Sequence, residues 1–185
     1  MLGRVEAPSF EPPPPPPLPP PAPSAGLRLL GIAQCALGAF GLLAAPITVI
    51  TRVVAQDAGS RRVQELLWEG WLGAWTWTSL VLGTLLAVTL IAAGVGVVRG
   101  MRWGRSLTLA HGVLAILHVV SGQVVSVVFL YPALWALGTG GNAAERGGAV
   151  GGVIGGFFGS LVALVLPVIE LWVMTRPSVR ETYLR

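Results

Sequence analysis

The 185-residue chain is 54% apolar and only 11% charged, and its mean hydropathy of +0.74 points to a chain solvated mostly by lipid, not to a water-soluble domain. Its net charge of +4 comes from twelve arginines and no lysine, and because these punctuate apolar runs instead of clustering on one face, nucleic acid is not an expected partner. Cys35 is the only cysteine, which excludes an intrachain disulfide and a cysteine-based metal centre assembled within one chain.

Residues 1–26 hold eleven of the fifteen prolines, mostly in Pro12 to Pro17 and Pro19 to Pro21. Such a run lacks backbone donors and favours extended polyproline II, so a disordered, proline-rich cytoplasmic tail is expected there, acting as a spacer in preference to a docking site for a proline-binding groove. A cleavable signal peptide is not expected, since no short apolar stretch follows Met1.

Four uncharged stretches follow: 29–51, 70–98, 106–144 and 147–169. A helix needs about 20 residues to cross the hydrocarbon, and each stretch is long enough. Pro132 and the glycine-rich run Gly138 to Gly148 should end the third near residue 131. The expected fold is therefore an all-α, integral membrane four-helix bundle over 27–176, with spans at about 28–52, 75–99, 105–131 and 149–175 and a cytoplasmic tail over 177–185. Before the second span, Val63, Leu66, Leu67 and Trp71 recur at helical spacing opposite Arg61, Arg62, Gln64, Glu65 and Glu69, which predicts an amphipathic helix at about 60–72 lying in the outer interface.

Arginine counts set the expected orientation, because positive residues accumulate on the cytoplasmic side. With the amino terminus inside, eight arginines are inside and four outside, and the tight turn holding Arg99, Arg102 and Arg105 is the strongest single element. Trp68, Trp71, Trp75 and Trp77 at one boundary, Tyr131 and Trp135 beyond the third span, and Trp103 and Trp172 near the inner face mark headgroup levels. A cell-membrane location follows, multi-pass, with both termini cytoplasmic. There is also a weak internal repeat: a shift of 77 residues superposes Arg28 on Arg105, Leu30 on Leu107, Ala33 on Ala110, Leu37 on Leu114 and Arg99 on Arg176.

Two features carry specific contacts. Gly147, Gly151, Gly155 and Gly159, flanked by Gly148, Gly152 and Gly156, strip one side of the fourth span to near-bare backbone, and Ala92, Gly96 and Gly100 offer matching spacing on the second. Small residues at every fourth position let helices approach closely, so packing within the monomer is expected, with self-association as the alternative. The second feature is a set of costly polar side chains, Gln34, His111, His118 and Glu170. Gln34 and His111 each lie six residues after an arginine and Glu170 six before one, which puts all three roughly 9 Å below the inner boundary. Either His111 and Glu170 hydrogen-bond across the third and fourth spans with Gln34 nearby, or Glu170 reaches the inner surface beside Arg176 and the histidines bond to nearby carbonyls or hydroxyls.

No cofactor or metal is expected. His111 and His118 sit on one helix about 10 Å apart, so one chain does not present two axial ligands to a haem. The glycine-rich stretch lacks the lysine and the strand-to-helix setting of a phosphate loop, and no nucleophile motif accompanies the serines. A short tail, four spans and an inner turn with Arg99, Arg102, Trp103 and Arg105 resemble, over residues 27–176, the small four-span bacterial membrane proteins of unassigned function. That resemblance implies a fold and transfers no active site. The expected function is non-enzymatic, as an accessory, scaffold or assembly partner whose neighbours are the bilayer and either a second copy or another membrane protein. A small oligomeric channel or transporter subunit is the alternative.

Overall fold

A computed structural model describes residues 24–54, 61–140 and 143–184, and among these every regular element is helical. Of the expected tail, residues 1–23 lie outside the described residues, while Ala25 and Gly26 already belong to the first helix. The helices are α1 (Ala25–Val54), α2 (Arg61–Trp68), α3 (Gly70–Val98), α4 (Arg102–Val125), α5 (Tyr131–Gly140), α6 (Ala143–Met174) and α7 (Pro177–Leu184). Four helical stretches are long and apolar enough to cross a membrane: Ala25–Ile50, Gly70–Val98, Arg102–Gly140 and Arg146–Met174. Large apolar side chains such as Phe40, Leu43, Leu117 and Val162 point outward from them, as they do where lipid replaces water. The chain is in these respects compatible with a multi-pass membrane protein.

The long helices pack in the order α1, α3, α4, α6, each against the next. The α1 and α3 contact is built on glycine. A methyl group on Gly94 would stand 2.5 Å from the Gly31 carbonyl oxygen and 2.7 Å from Cys35 Sγ, and one on Gly38 would stand 2.8 Å from the Ala87 carbonyl. The Cys35 thiol donates to the Ile91 carbonyl at 3.6 Å, adding a weak polar tie between the same two backbones.

Between α3 and α4 the chain turns on Arg99, Gly100 and Met101. Gly100 takes φ +68°, its N–H reaches Val97 O at 3.1 Å, and the Met101 N–H reaches Gly96 O at 2.9 Å. This is a Schellman stop, which satisfies two carbonyls at the end of α3 and calls for glycine at the left-handed position. Gly100 therefore terminates a helix and does not pack against one. Gly96 backs onto Gly104 of α4, and a Cβ on either would overlap the other's backbone, so its partner is the third span and not the glycine face of the fourth. Ala92 stays half-buried on α3. The turn gathers Arg99, Arg102 and Arg105 at one end of the bundle, called here the arginine end, where α1 starts and α6 finishes.

Several boundaries differ from those expected; the second span starts at Gly70, ahead of residue 75, and takes in Trp71 from the amphipathic segment expected over 60–72. The third span does not stop at residue 131: a π-helical turn over Ser126–Leu130 lets the Tyr131 N–H bond to Ser126 O, absorbing the missing donor at Pro132, and α5 carries the helix on to Gly140. α6 begins at Ala143, ahead of residue 149, because glycine-rich sequence is permissive of helix when an apolar span follows. Where a tail was expected over 177–185, α7 opens with Pro177 at its first position and folds under the bundle. Val179 and Tyr183, four residues apart, bury with Leu27, Val97 and Met174. The Tyr183 hydroxyl donates to Val97 O at 3.3 Å, and burial pushes its pKa above the ordinary value of 10.0.

Around the expected interfacial segment, α2 covers Arg61–Trp68 and packs on α3 across a turn at Gly70, whose φ is +60°. The Thr76 hydroxyl bonds the Leu67 carbonyl at 2.8 Å, and Trp68 meets Trp77 edge to face at 5.3 Å.

Because the α1 and α3 backbones touch, Gly94→Leu is expected to lower stability by about 1–3 kcal/mol through overpacking. Gly83→Leu, whose added side chain enters open space on the same helix, should be near neutral. Thermal unfolding in detergent micelles checks this, and equal losses would contradict the packing described.

Candidate functional site: a buried polar hub

Gln34 on α1, Thr108 and His111 on α4, and Glu170 on α6 are the buried polar side chains among the described residues, with Gln34, Thr108 and Glu170 at 0% exposure and His111 at 5%. They form one connected group. The His111 ring Nδ1 lies 2.7 Å from Glu170 Oε2, and the Gln34 amide nitrogen donates to Glu170 Oε1 at 2.9 Å. One carboxyl thus takes a hydrogen bond from α1 on one oxygen and engages α4 on the other.

Local sequence puts each group in place. Gln34 is flanked by Gly31 and Gly38, whose lack of side chains brings α1 close to α3 and its polar face toward the middle of the bundle. Beside His111, Gly112 has only open backbone, and a Cβ there would stand 3.0 Å from Leu171, so α6 rides low over α4 at the level of Glu170. Pro167 is buried one turn before Glu170; it removes a backbone donor, and its own carbonyl faces Gly112.

Hydrogen-bond accounting settles which end of the Gln34 amide faces Glu170. The Thr108 hydroxyl gives its proton to Gly104 O at 2.8 Å, so its oxygen faces Gln34 as an acceptor at 3.4 Å. Only the amide nitrogen satisfies both Thr108 and Glu170, which leaves Gln34 Oε1 pointing away from them, buried and without a partner among the described residues. The His111 ring and the Glu170 carboxyl satisfy each other across the 2.7 Å between Nδ1 and Oε2, which offsets the cost of burying both polar groups. Arg105, the nearest arginine on α4, donates from Nε to Met174 O at 3.2 Å and does not enter the hub.

The sequence-derived residues divide cleanly. Gln34, His111 and Glu170 meet; His118, two turns further along α4, is half-buried outside the hub, and Glu170 does not extend to Arg176, whose guanidinium stacks on Trp172 at 3.5 Å. On α6, Gly152 faces Leu134 and Gly156 faces the Tyr131 hydroxyl, so α5 covers that edge, while Gly147, Gly148, Gly151, Gly155 and Gly159 meet nothing within 4 Å. The glycine ladder therefore does not pack against the second span within the monomer. Thr108, which helical spacing places on the same α4 face as His111, three residues before it, joins the hub as its fourth member.

The 77-residue shift also acquires geometric content, since 34 plus 77 is 111: Gln34 and His111 occupy equivalent positions and grip the two oxygens of one carboxyl. The pairs Cys35 with Gly94 and Gly112 with Leu171, again 77 apart member by member, are both close interhelical contacts. The α1 and α3 hairpin and the α4 and α6 hairpin thus use matched contacts. Among the described residues no three His, Cys, Asp or Glu side chains gather as a metal site would require.

No family model, no curated protein and no solved structure matches the chain.

If Glu170 braces α1 and α4 by hydrogen bonding, Glu170→Leu should cost about 3–5 kcal/mol by stranding Gln34 and His111, whereas Glu170→Gln, which keeps an acceptor and a polar partner, should cost far less. His111→Ala and Glu170→Ala should also be strongly non-additive, with a coupling of about 0.5–3 kcal/mol in a double-mutant cycle read by denaturant unfolding in micelles. Additive losses would show that the pair is not coupled.

Proposed function

We propose that the chain is a multi-pass integral protein of a bacterial cytoplasmic membrane and that it works without catalysis, as an assembly partner that receives another transmembrane helix on α6. The arginine end and both termini are then cytoplasmic. Arg28, Arg99, Arg102, Arg105, Arg176 and Arg180 support this orientation, against Arg52, Arg61, Arg62 and Arg146 toward the other end.

The observation that carries the assembly reading is a contrast among glycines. On α1, α3 and α4, Gly31, Gly38, Gly94, Gly96 and Gly104 are each pressed against a neighbouring helix, where any side chain would collide. Open glycines on those helices, such as Gly83 and Gly122, are isolated, whereas on α6 five face open space and Gly147, Gly151, Gly155 and Gly159 recur at every fourth position. Each costs about 0.8–1 kcal/mol relative to alanine in a helix, and no contact among the described residues offsets that loss. Close approach of a partner helix does, by the same backbone contact used between α1 and α3. The partner is a helix of another membrane protein or of a second copy.

A second reading, a small oligomeric channel or transporter subunit, is favoured by the His111 and Glu170 pair, two polar side chains buried 2.7 Å apart inside a span. The two readings part in experiment. Crosslinking in native membranes followed by purification in mild detergent should recover a stable partner or dimer, depleted several-fold by Gly151→Leu with Gly155→Leu. Recovery of monomer alone, indifferent to both substitutions, would overturn the assembly reading. Proton or ion flux in liposomes that Glu170→Gln abolishes would select the transport reading.

A further inference from the structure

α1 and α6 meet at the hub and then part. From the Gln34 and Glu170 bond toward the arginine end, the two helices leave a groove of about 520 Å³ between them, within the size range of small-molecule sites. Its walls are apolar, with Leu30 and Ala33 on α1 facing Ile169 and Val173 on α6. Its mouth is polar and carries Ser24, the bare backbone of Gly26, Arg176 and, from the start of α7, Ser178 beside Val179. An apolar gap of this size between two helices does not stay empty, because its lining would forfeit dispersion contacts.

We propose that this groove is a binding site for an anionic glycerophospholipid of the cytoplasmic leaflet, one acyl chain lying between α1 and α6 and the phosphate at the mouth. The proposal rests on the membrane orientation given above. Charge complementarity selects the headgroup. At the mouth the amino terminus of the 30-residue α1 presents its positive dipole end with no acidic residue in the first turn, and only Ser24 Oγ, 3.4 Å from the Leu27 N–H, supplies a side-chain cap. Arg176 stands on the other lip, exposed, held over Trp172 and with no acidic partner among the described residues. Around the arginine end, Arg28, Arg99, Arg102, Arg105, Arg176 and Arg180 are set against one exposed carboxylate among the described residues, that of Glu181. A zwitterionic headgroup brings a second cation into this field, and an anionic one does not. The walls select the tail: they offer no hydrogen-bonding side chain between the mouth and the hub.

The test is native mass spectrometry of the full chain released from nanodiscs that contain phosphatidylglycerol and phosphatidylcholine with identical acyl chains. One phosphatidylglycerol should be retained per chain, with a preference that falls about fivefold in Arg176→Gln and stays unchanged in Arg180→Gln, which removes the same charge from α7 outside the groove. Ala33→Phe, which fills the groove beside the hub, should lower retention of both lipids. Equal retention of the two lipids by the wild type, or equal effects of Arg176→Gln and Arg180→Gln, would overturn the site. Loss of the preference by adding soluble glycerol phosphate would also overturn it, since the ligand would then be a free phosphate and not a lipid. Carbonate extraction of the wild type from cell membranes separates the two levels: release into the soluble fraction defeats the membrane reading itself, whereas retention without lipid preference defeats only this site.

Discussion

A carboxyl group buried among apolar helices is tolerated only where each oxygen finds a partner, and the arrangement of the long helices turns on how Glu170 meets that demand. Its two oxygens engage different helices, Gln34 of α1 on one side and His111 of α4 on the other. The packing order runs α1, α3, α4, α6, so the first and last helices would drift apart if nothing tied them. Between them a groove opens at the arginine end beside the apolar cluster of Leu27, Met174, Val179 and Tyr183, and the hub bond is the polar tie that spans the two helices. In lipid, where burying apolar surface gives no net drive between helices, a satisfied polar contact and close glycine packing are the forces left to set the arrangement.

The chain uses those two forces in a repeated pattern. The α1 and α3 hairpin closes by glycine against backbone, at Gly31, Gly38 and Gly94; the α4 and α6 hairpin closes at Gly112 against Leu171, the equivalent place 77 residues on. At the position equivalent to Ala93 of the first hairpin, the second carries Glu170. That single acidic position in the second hairpin is what both Gln34 and its counterpart His111 address. One carboxyl in the second hairpin thus holds the two hairpins together, because one amide and one imidazole satisfy both of its oxygens.

Much of this was legible in the sequence, and the parts that were not share a physical cause. The four apolar stretches and their arginine boundaries follow from composition alone, and the common depth of Gln34, His111 and Glu170 follows from counting residues from Arg28, Arg105 and Arg176. Depth along a helix is a one-dimensional quantity that spacing reports well. Which face meets which helix is not: small residues recur on all four spans, so Gly96 was matched by spacing to the glycines of α6, whereas the tight turn at Gly100 sets it against α4. Pro132 marks a missing donor, but whether the chain ends a helix there or shifts register by a π turn depends on neighbours in space. α7 was hidden for a similar reason, since two apolar residues, Val179 and Tyr183, become a signal only once Leu27, Val97 and Met174 form the floor beneath them.

The central claim is that the Gln34 and Glu170 bond holds α1 against α6, and distance across the groove tests it most directly. Spin labels at Leu29→Cys and Ile169→Cys, both exposed positions, in a Cys35→Ser background reconstituted in lipid, report that distance by double electron–electron resonance. The account requires one narrow distribution, which broadens and shifts to longer distance when Gln34→Leu is added. A distribution left unchanged by Gln34→Leu would mean that α1 is positioned by its packing on α3 alone, and that the hub does not hold the bundle together.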